Sequence, residues 1–237
     1  MAVKNEGICR FCMKTFAGAG MMRHLKACKI KLEKDALEAA KTKGGSRIYL
    51  LKISGYKPYW LYIEMNDTAT LKQLDSFLRN IWLECCGHLS AFEINGVSYE
   101  STPDPDWSDG KSMNVRLKNV LDLNGGFGYE YDYGSTTPLV GQVVNIRPGK
   151  LTGERVRILA RNNPPLYKCS VCKKPAAAIC WECDGKFYCE ACLTDEDKHP
   201  CGDEVTLPVV NSPRMGECGY DGYTTADPFM REHFGQD

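Results

Sequence analysis

Eight potential metal ligands within 33 residues restrict the fold of this chain more than any other feature of its sequence. They fall into four pairs: Cys169 and Cys172, Cys180 and Cys183, Cys189 and Cys192, and His199 and Cys201. Thiolates and imidazoles at such spacings are the usual ligands of structural zinc. Eight ligands suffice for two ions, each held by four protein ligands with no position left for a catalytic water.

The order of the pairs is compatible with two groupings. We predict that the first pair joins the third and the second joins the fourth, because the hairpin carrying the second pair must fold back to bring the third beside the first. A serial grouping would join the first two pairs and the last two. The segment resembles the cross-brace fingers of the B-box, HIT and MYND kinds. Its last pair is closer than usual in such fingers, so Cys218 is an alternative to Cys201.

A second ligand pattern lies near the N-terminus. Cys9 and Cys12 are followed by His24 and Cys28, and the last two are spaced to share one helical face. This is zinc-finger spacing, and it brings the expected number of zinc ions to three. The segment after Cys28 is rich in Ala, Leu, Lys and Glu without Pro, which predicts that the finger's helix continues to about Lys43 as one long helix.

The charge distribution suggests a partner for this finger. The net charge of the whole chain is zero, but the charges are unevenly distributed. Residues 1–47 contain eleven Lys or Arg and four acidic residues, whereas residues 202–237 contain two Lys or Arg and seven acidic residues. Basic clusters bind phosphate backbones through counterion release. The candidate nucleic-acid contacts are Arg23, Lys26, Lys29, Lys31 and Lys34. One finger makes few base contacts, so we do not expect this unit alone to recognise a DNA sequence.

The middle of the chain has a different pattern. From Arg47 the sequence RIYLLKISGYKPYWLYIEM predicts two strands, and a helix capped by Thr70 follows. A strand pair with a turn at Asn95-Gly96, a short segment at 115–121 and two further strands complete it. The order predicts an α+β domain with one main helix packed on a mixed or antiparallel sheet.

The same residues carry a family resemblance. The stretch IYLLKISGYKPYWLYIEMNDTATLKQLDSFLRNIWLECCGHLSAFEINGVSY, followed by FGYEYDYGS, resembles the plasmid pRiA4b ORF-3-like domain over about residues 46–148. The resemblance implies a passenger of a mobile insertion element, and it implies no secure biochemical activity. The family usually has Trp-Arg after the Pro of the second strand, whereas this chain has Tyr59-Trp60-Leu61 after Pro58.

The sequence favours a non-catalytic protein. His88, Glu130 and Asp132 are the candidate acid-base groups, but no Gly-rich phosphate loop, nucleophile elbow or His-Glu-x-x-His is present. We therefore expect no small-molecule substrate. The adjacent Cys85 and Cys86 are predicted to be small core residues and not ligands.

These patterns predict five regions: a finger with a basic helix at 1–45, the α+β domain at 46–150, a linker at 151–167, a double finger at 168–204 and an irregular acidic tail at 205–237. The tail is either packed over another domain or flexible, and His233 is expected to be an exposed tail residue. Neither a signal peptide nor a membrane segment is evident, so we expect a cytoplasmic protein with no membrane partner.

Three functional hypotheses remain from the sequence. The first is a zinc-binding adaptor that contacts DNA or RNA, within a nucleoprotein assembly, through its basic N-terminal finger. The second is a protein-protein adaptor that uses the C-terminal fingers. The third is an enzyme of mobile-element metabolism.

Overall fold

The computed structural model describes residues 5–42 and 44–222, and its largest element is a ten-stranded sheet. The strands are β1 Glu6–Cys9, β2 Thr15–Ala17, β3 Arg47–Ser54, β4 Trp60–Asn66, β5 Ser90–Ile94, β6 Val97–Glu100, β7 Lys111–Ser112, β8 Gly126–Tyr131, β9 Thr137–Pro148 and β10 Val156–Asn162. Their spatial order is β2-β1-β10-β4-β3-β9-β8-β5-β6-β7. Neighbouring strands are antiparallel except β6 and β7, which are parallel, so the sheet is mixed.

Helices and a second sheet complete the described fold. The α-helices are α1 Gly18–Ala27, α2 Lys29–Lys41, α3 Leu71–Leu78 and α4 Glu190–Leu193. A π-helical turn, Arg79–Leu83, continues α3, and the small sheet consists of β11 Ala178–Cys180, β12 Lys186–Tyr188 and β13 Thr206–Pro208 in the order β12-β11-β13. The predicted α+β class is confirmed, with strands dominating the architecture.

Local sequence signals predicted several elements correctly. The hydroxyl of Thr70 accepts a hydrogen bond from the backbone N–H of Gln73, whose side chain bonds back to the N–H of Thr70, so α3 begins with a capping box. Asn95 and Gly96 both have positive φ and join β5 to β6, as a two-residue hairpin requires. The two strands predicted from Arg47 are β3 and β4.

The sheet is covered on both faces at β3, β4 and β10, which differs from the predicted single helix on a sheet. Along β4, Leu61 and Ile63 pack into the large core that includes α3, whereas Trp60 and Tyr62 belong to a second core with Met21 and Leu25 of α1. Successive side chains of a strand point to opposite faces. Residues 5–42, which we call the N-terminal unit, therefore cover the face of the sheet opposite α3, and β4 is buried on both sides.

The N-terminal unit is also joined to the sheet by backbone hydrogen bonds. Strand β1 pairs with β10, with Gly7 opposite Asn162 and Cys9 opposite Ala160. The predicted single long helix is wrong, because Cys28 has an extended backbone conformation that separates α1 from α2. The finger thus shares one sheet with residues 47–162, which we call the central domain.

The predicted linker at 151–167 is shorter than expected because it contains β10. This strand lies between β1 and β4, and its residues from Arg157 to Asn162 are buried. Its side chains fill the sheet on both faces: Ile158 belongs to the core with α3, and Leu159 to the core with α1. Residues 163–167 remain as the connection to residues 168–208, which we call the C-terminal unit.

The region predicted as an irregular tail has two described parts. Strand β13 pairs with β11, so the C-terminal finger extends to Pro208. The following segment packs on the central domain, where the hydroxyl of Ser212 bonds to the carbonyl of Trp82 and Tyr220 is buried. His233 lies outside the described residues. Within them, no helix combines the length and apolar character needed to cross a membrane.

Candidate metal centres

The structure brings the four predicted N-terminal ligands together. The ligand atoms of Cys9, Cys12, His24 and Cys28, which we call the head cluster, all lie within 4.8 Å of one another. Strand β1 ends at Cys9, and α1 carries His24 on the side that faces it. His24 Nε2 lies 3.2 Å from Cys12 Sγ, and its ring stacks on Phe16 at 3.8 Å between centroids. Two atoms bound to one tetrahedral zinc ion are separated by roughly 3 to 4 Å, so the cluster has the size of a zinc site.

Three of the Cys-x-x-Cys turns share a backbone feature. The residue after the second cysteine has a positive φ in each turn: Met13 at 59°, Lys173 at 65° and Asp184 at 56°. In two turns the N–H of that residue bonds to the carbonyl of the first cysteine, from Met13 to Cys9 and from Lys173 to Cys169. A left-handed residue at this point reverses the chain tightly, which directs both thiols to one side.

The C-terminal ligands form two groups in the interleaved order. Cys169, Cys172, Cys189 and Cys192 form the first tail cluster, and Cys180, Cys183, His199 and Cys201 form the second tail cluster, each with its ligand atoms within 4.8 Å. Strands β11 and β12 form a hairpin, and the second cysteine pair lies at its turn. The hairpin reverses the chain, so the third pair lies beside the first. Sulfur atoms of different pairs approach closely, at 3.5 Å between Cys172 and Cys189 and 3.2 Å between Cys183 and Cys201.

The histidine of the second tail cluster has a free ligand atom. His199 is 2% exposed, and its Nδ1 donates a hydrogen bond to the carbonyl of Leu193 at 3.2 Å. This bond leaves Nε2 for the cluster, and among the described residues Nε2 is a buried atom with no hydrogen-bond partner. An orphaned imidazole nitrogen beside three thiols fits a metal ion, and the bond at Nδ1 orients the ring as in known zinc sites.

The electrostatics of two buried thiols also suit a cation. Burial raises the pKa of Cys9 to about 12, so its thiolate is costly without a nearby positive charge. Burial opposes ionisation of Cys169 as well, but backbone N–H groups of Cys172, Cys189 and Val171 outweigh it and lower the pKa of Cys169 to about 6. A bound divalent cation would favour the thiolate in both places.

A fourth cluster has no counterpart in the sequence predictions. Cys85, Cys86, His88 and Cys218 have their ligand atoms within 4.8 Å of one another, and we call them the fourth cluster. The prediction that Cys85 and Cys86 are core residues is wrong for Cys86, which is exposed, while Cys85 is half-buried. The alternative of Cys218 in place of Cys201 is also resolved, because Cys201 lies in the second tail cluster and Cys218 lies here.

A count of cysteines could have revealed this cluster from the sequence. All thirteen cysteines of the chain belong to one of the four clusters. The head and tail motifs account for ten of them, and the three that remain are the cysteines of the fourth cluster. The sequence signal is weak because Cys218 is 130 residues from His88, so no spacing motif connects them.

One of the five predicted nucleic-acid contacts is buried. Arg23, Lys26, Lys29 and Lys34 are exposed. Lys31 is 3% exposed, because it points inward from α2 and pairs with Asp35 at 2.6 Å and Glu64 at 3.3 Å. The assignment of Lys31 to an exposed basic face is therefore corrected, and it cannot contact a phosphate in this fold.

The candidate acid-base residues occupy different surroundings. His88 Nδ1 lies 3.5 Å from Asp132, whose carboxylate also accepts a hydrogen bond from the buried Arg214 at 2.6 Å. Glu130 is exposed on β8, on the face opposite Tyr129 and Tyr131. His88 and Asp132 thus belong with the fourth cluster, and Glu130 does not take part.

Comparisons with known proteins show no family for the chain. No family model and no curated protein matches it. One solved structure, the protein of unknown function MM3350 from Methanosarcina mazei Go1, is similar with a TM-score of 0.41 and 20% identity, over 52% of this chain and 71% of that chain. The resemblance to pRiA4b ORF-3-like domains stays a prediction.

Proposed function

We propose that this protein is a non-catalytic adaptor, stabilised by zinc in the head cluster and the two tail clusters, whose N-terminal unit binds nucleic acid. The single observation that supports zinc most directly is the unpartnered, buried Nε2 of His199 beside three thiols. Zinc held by four protein ligands supplies folding energy and leaves no position for an attacking water.

The proposed nucleic-acid surface consists of four exposed cations of the first two helices. Arg23 and Lys26 are three residues apart on α1 and so share its outer face, opposite the buried Met21 and Leu25. Lys29 is the first residue of α2. Lys34 lies further along the same helix and is exposed, with its ammonium 5.9 Å from the ring centroid of Phe11. Four cations on one small unit supply the phosphate contacts of sequence-independent binding.

A protein-binding role is the second candidate, and it is favoured by apolar side chains on the C-terminal unit. Trp181 is 48% exposed in the turn between Cys180 and Cys183, and Val171 is 45% exposed in the turn between Cys169 and Cys172. Exposed aromatic residues are common anchors in protein interfaces. About half of each side chain is accessible to a partner.

The experiment that tests the proposal measures binding of labelled duplex DNA and single-stranded RNA to the full chain between about 50 and 200 mM salt. The test variant changes Arg23, Lys26, Lys29 and Lys34 to Gln. The control variant changes four exposed cations of the central domain, Lys72, Lys111, Arg116 and Lys118, to Gln and so alters the net charge equally.

We expect log Kd of the native protein to depend steeply on log salt, and the slope to fall by about 0.9 for each duplex-DNA phosphate contact that the test variant loses. The control variant should keep most of the slope. Equal losses in both variants would contradict the proposed surface. Absence of binding by the native protein at physiological salt would favour the protein-binding role.

A further inference from the structure

The fourth cluster joins two parts of the chain that are distant in sequence. Cys85, Cys86 and His88 follow the π-helical turn at the end of α3, and Cys218 belongs to residues 211–222, which we call the C-terminal strap. His88 Nε2 lies 3.2 Å from Cys218 Sγ, and Cys86 Sγ lies 3.9 Å from the carbonyl of Cys218. Both contacts connect the strap to the central domain.

The surroundings of His88 have the arrangement found behind metal ligands. Its Nε2 faces the cysteines, while its Nδ1 faces the Asp132 carboxylate at 3.5 Å. Ligating histidines typically direct their second nitrogen to a carboxylate, which fixes the orientation of the ring. Asp132 is itself fixed, because Gly134 and the fully buried Arg214 donate hydrogen bonds to it.

Arg214 also contacts Cys85. Its Nη2 lies 3.6 Å from Cys85 Sγ, and its Nη1 donates to the carbonyl of Ser135 and the hydroxyl of Thr137. Arg214 belongs to the strap, as Cys218 does. It contacts both Cys85 and the Asp132 carboxylate behind His88. Three thiolates and one imidazole are a donor set that selects zinc among common divalent ions.

We propose that Cys85, Cys86, His88 and Cys218 bind a fourth zinc ion, which fastens the C-terminal strap to the central domain and exchanges more readily than the other three. The exchange follows from exposure, because Cys86 and Cys218 are open to solvent, whereas each of the other clusters has at least two buried ligands. The nucleic-acid proposal does not depend on this site.

The first test measures zinc per chain by elemental analysis of the reduced full-length protein. The native chain should contain four ions, and Cys218→Ser and Cys86→Ser should each contain three. Glu217→Gln, a change beside Cys218 that removes no ligand, should keep four. A native content equal to that of Cys218→Ser would overturn the fourth site. A native content of one ion or none would contradict the proposed function, whatever the variant shows.

The second test measures fastening and exchange. Amide hydrogen exchange in residues 211–222 should be faster in Cys218→Ser than in the native chain and unchanged in Glu217→Gln. A chromophoric chelator should remove one equivalent from the native protein in an early phase that Cys218→Ser lacks. Unchanged hydrogen exchange in the strap of Cys218→Ser would overturn the claim that the ion fastens the strap. A zinc-release profile shared by both proteins would overturn the claim that this ion exchanges more readily.

Discussion

Lys31 Nζ lies 3.3 Å from Glu64 Oε1, and the two side chains are 3% and 0% exposed. Arg147 and Arg157 approach the same carboxylate at 2.9 and 3.5 Å. Helix α2 therefore packs its charged side against the sheet, and apolar residues such as Leu37, which is 61% exposed, face solvent. Asp35 and Glu38 of α2 also pair with Arg147, so both signs of charge meet beneath this helix.

Replacement of Glu64 by Gln should strongly destabilise the fold. Burial opposes ionisation of Glu64, but the hydrogen bond from Arg147 and the charge of Lys31 outweigh it and lower its pKa. Removal of one partner from a buried ion network leaves cations uncompensated and typically costs about 3 to 5 kcal/mol. Urea unfolding measures this loss. Glu33→Gln, an exposed change on the same helix, is the control, and a similar stability of both variants would refute the role of Glu64.

Glu38 should contribute stability that depends on pH. Burial raises its pKa, but hydrogen bonds from Arg157 and Arg147 outweigh burial, so the pKa lies below its ordinary value. A carboxylate with a lowered pKa stabilises the fold above its unfolded pKa of about 4.3, and this contribution is lost as the pH falls through the folded pKa.

The unfolding free energies of the native chain and Glu38→Gln should therefore differ at pH 7 and converge in acid. Urea titrations between about pH 7 and pH 3.5 bracket the unfolded pKa of Glu. The zinc content of both proteins is measured at each pH. Where the two contents are equal, loss of metal does not account for a difference in unfolding free energy. A difference that grows toward low pH would contradict a lowered pKa for Glu38.

Two glycines of α1 should respond oppositely to alanine. A Cβ on Gly18 would lie 2.7 Å from Nε1 of the buried Trp60, whereas a Cβ on Gly20 meets nothing within 4 Å. Gly18→Ala should destabilise the protein by about 1 to 3 kcal/mol, as overpacking does. Gly20→Ala should stabilise it by up to about 1 kcal/mol, because Ala is the better helix former. Thermal unfolding of the two variants makes the comparison, and equal shifts would rule out the contact with Trp60.

Loss of Cys172 should disturb both tail clusters. Cys189 of the first tail cluster follows β12, which pairs with β11, and β11 ends at Cys180 of the second. Cys172→Ser should therefore lower the zinc content by more than one equivalent while the head cluster keeps its ion. Metal NMR of the cadmium-substituted native chain gives a direct readout. The all-sulfur ion should couple to Cys189, and coupling of that ion to Cys180 would indicate the serial grouping instead.

Local signals made part of this structure predictable. The capping box of Thr70 and Gln73, the turn at Asn95 and the Cys-x-x-Cys turns each depend on residues within a few positions of one another. The free energy that specifies them comes from nearby groups, so the sequence pattern is sufficient.

Long-range partners made the rest unpredictable. Lys31 looks like an exposed lysine until strand β4 brings Glu64 beneath it, and Cys218 has no partner within its own segment. Strand β10 is hard to recognise for a different reason, because Pro164 and Pro165 follow it closely and suggest a linker. Its buried residues acquire neighbours only when β1 and β4 pair on either side.

The place of β1 in the sheet has a consequence for solubility. Strands β1 and β2 cover the hydrogen-bonding edge of β10, and a bare edge of a large sheet is a template for pairing with another molecule. Release of β1 would leave β10 as such an edge, and two chains could then join edge to edge. Because Cys9 ends β1 and belongs to the head cluster, a metal ion bound there would also protect the edge of β10 from pairing with another chain.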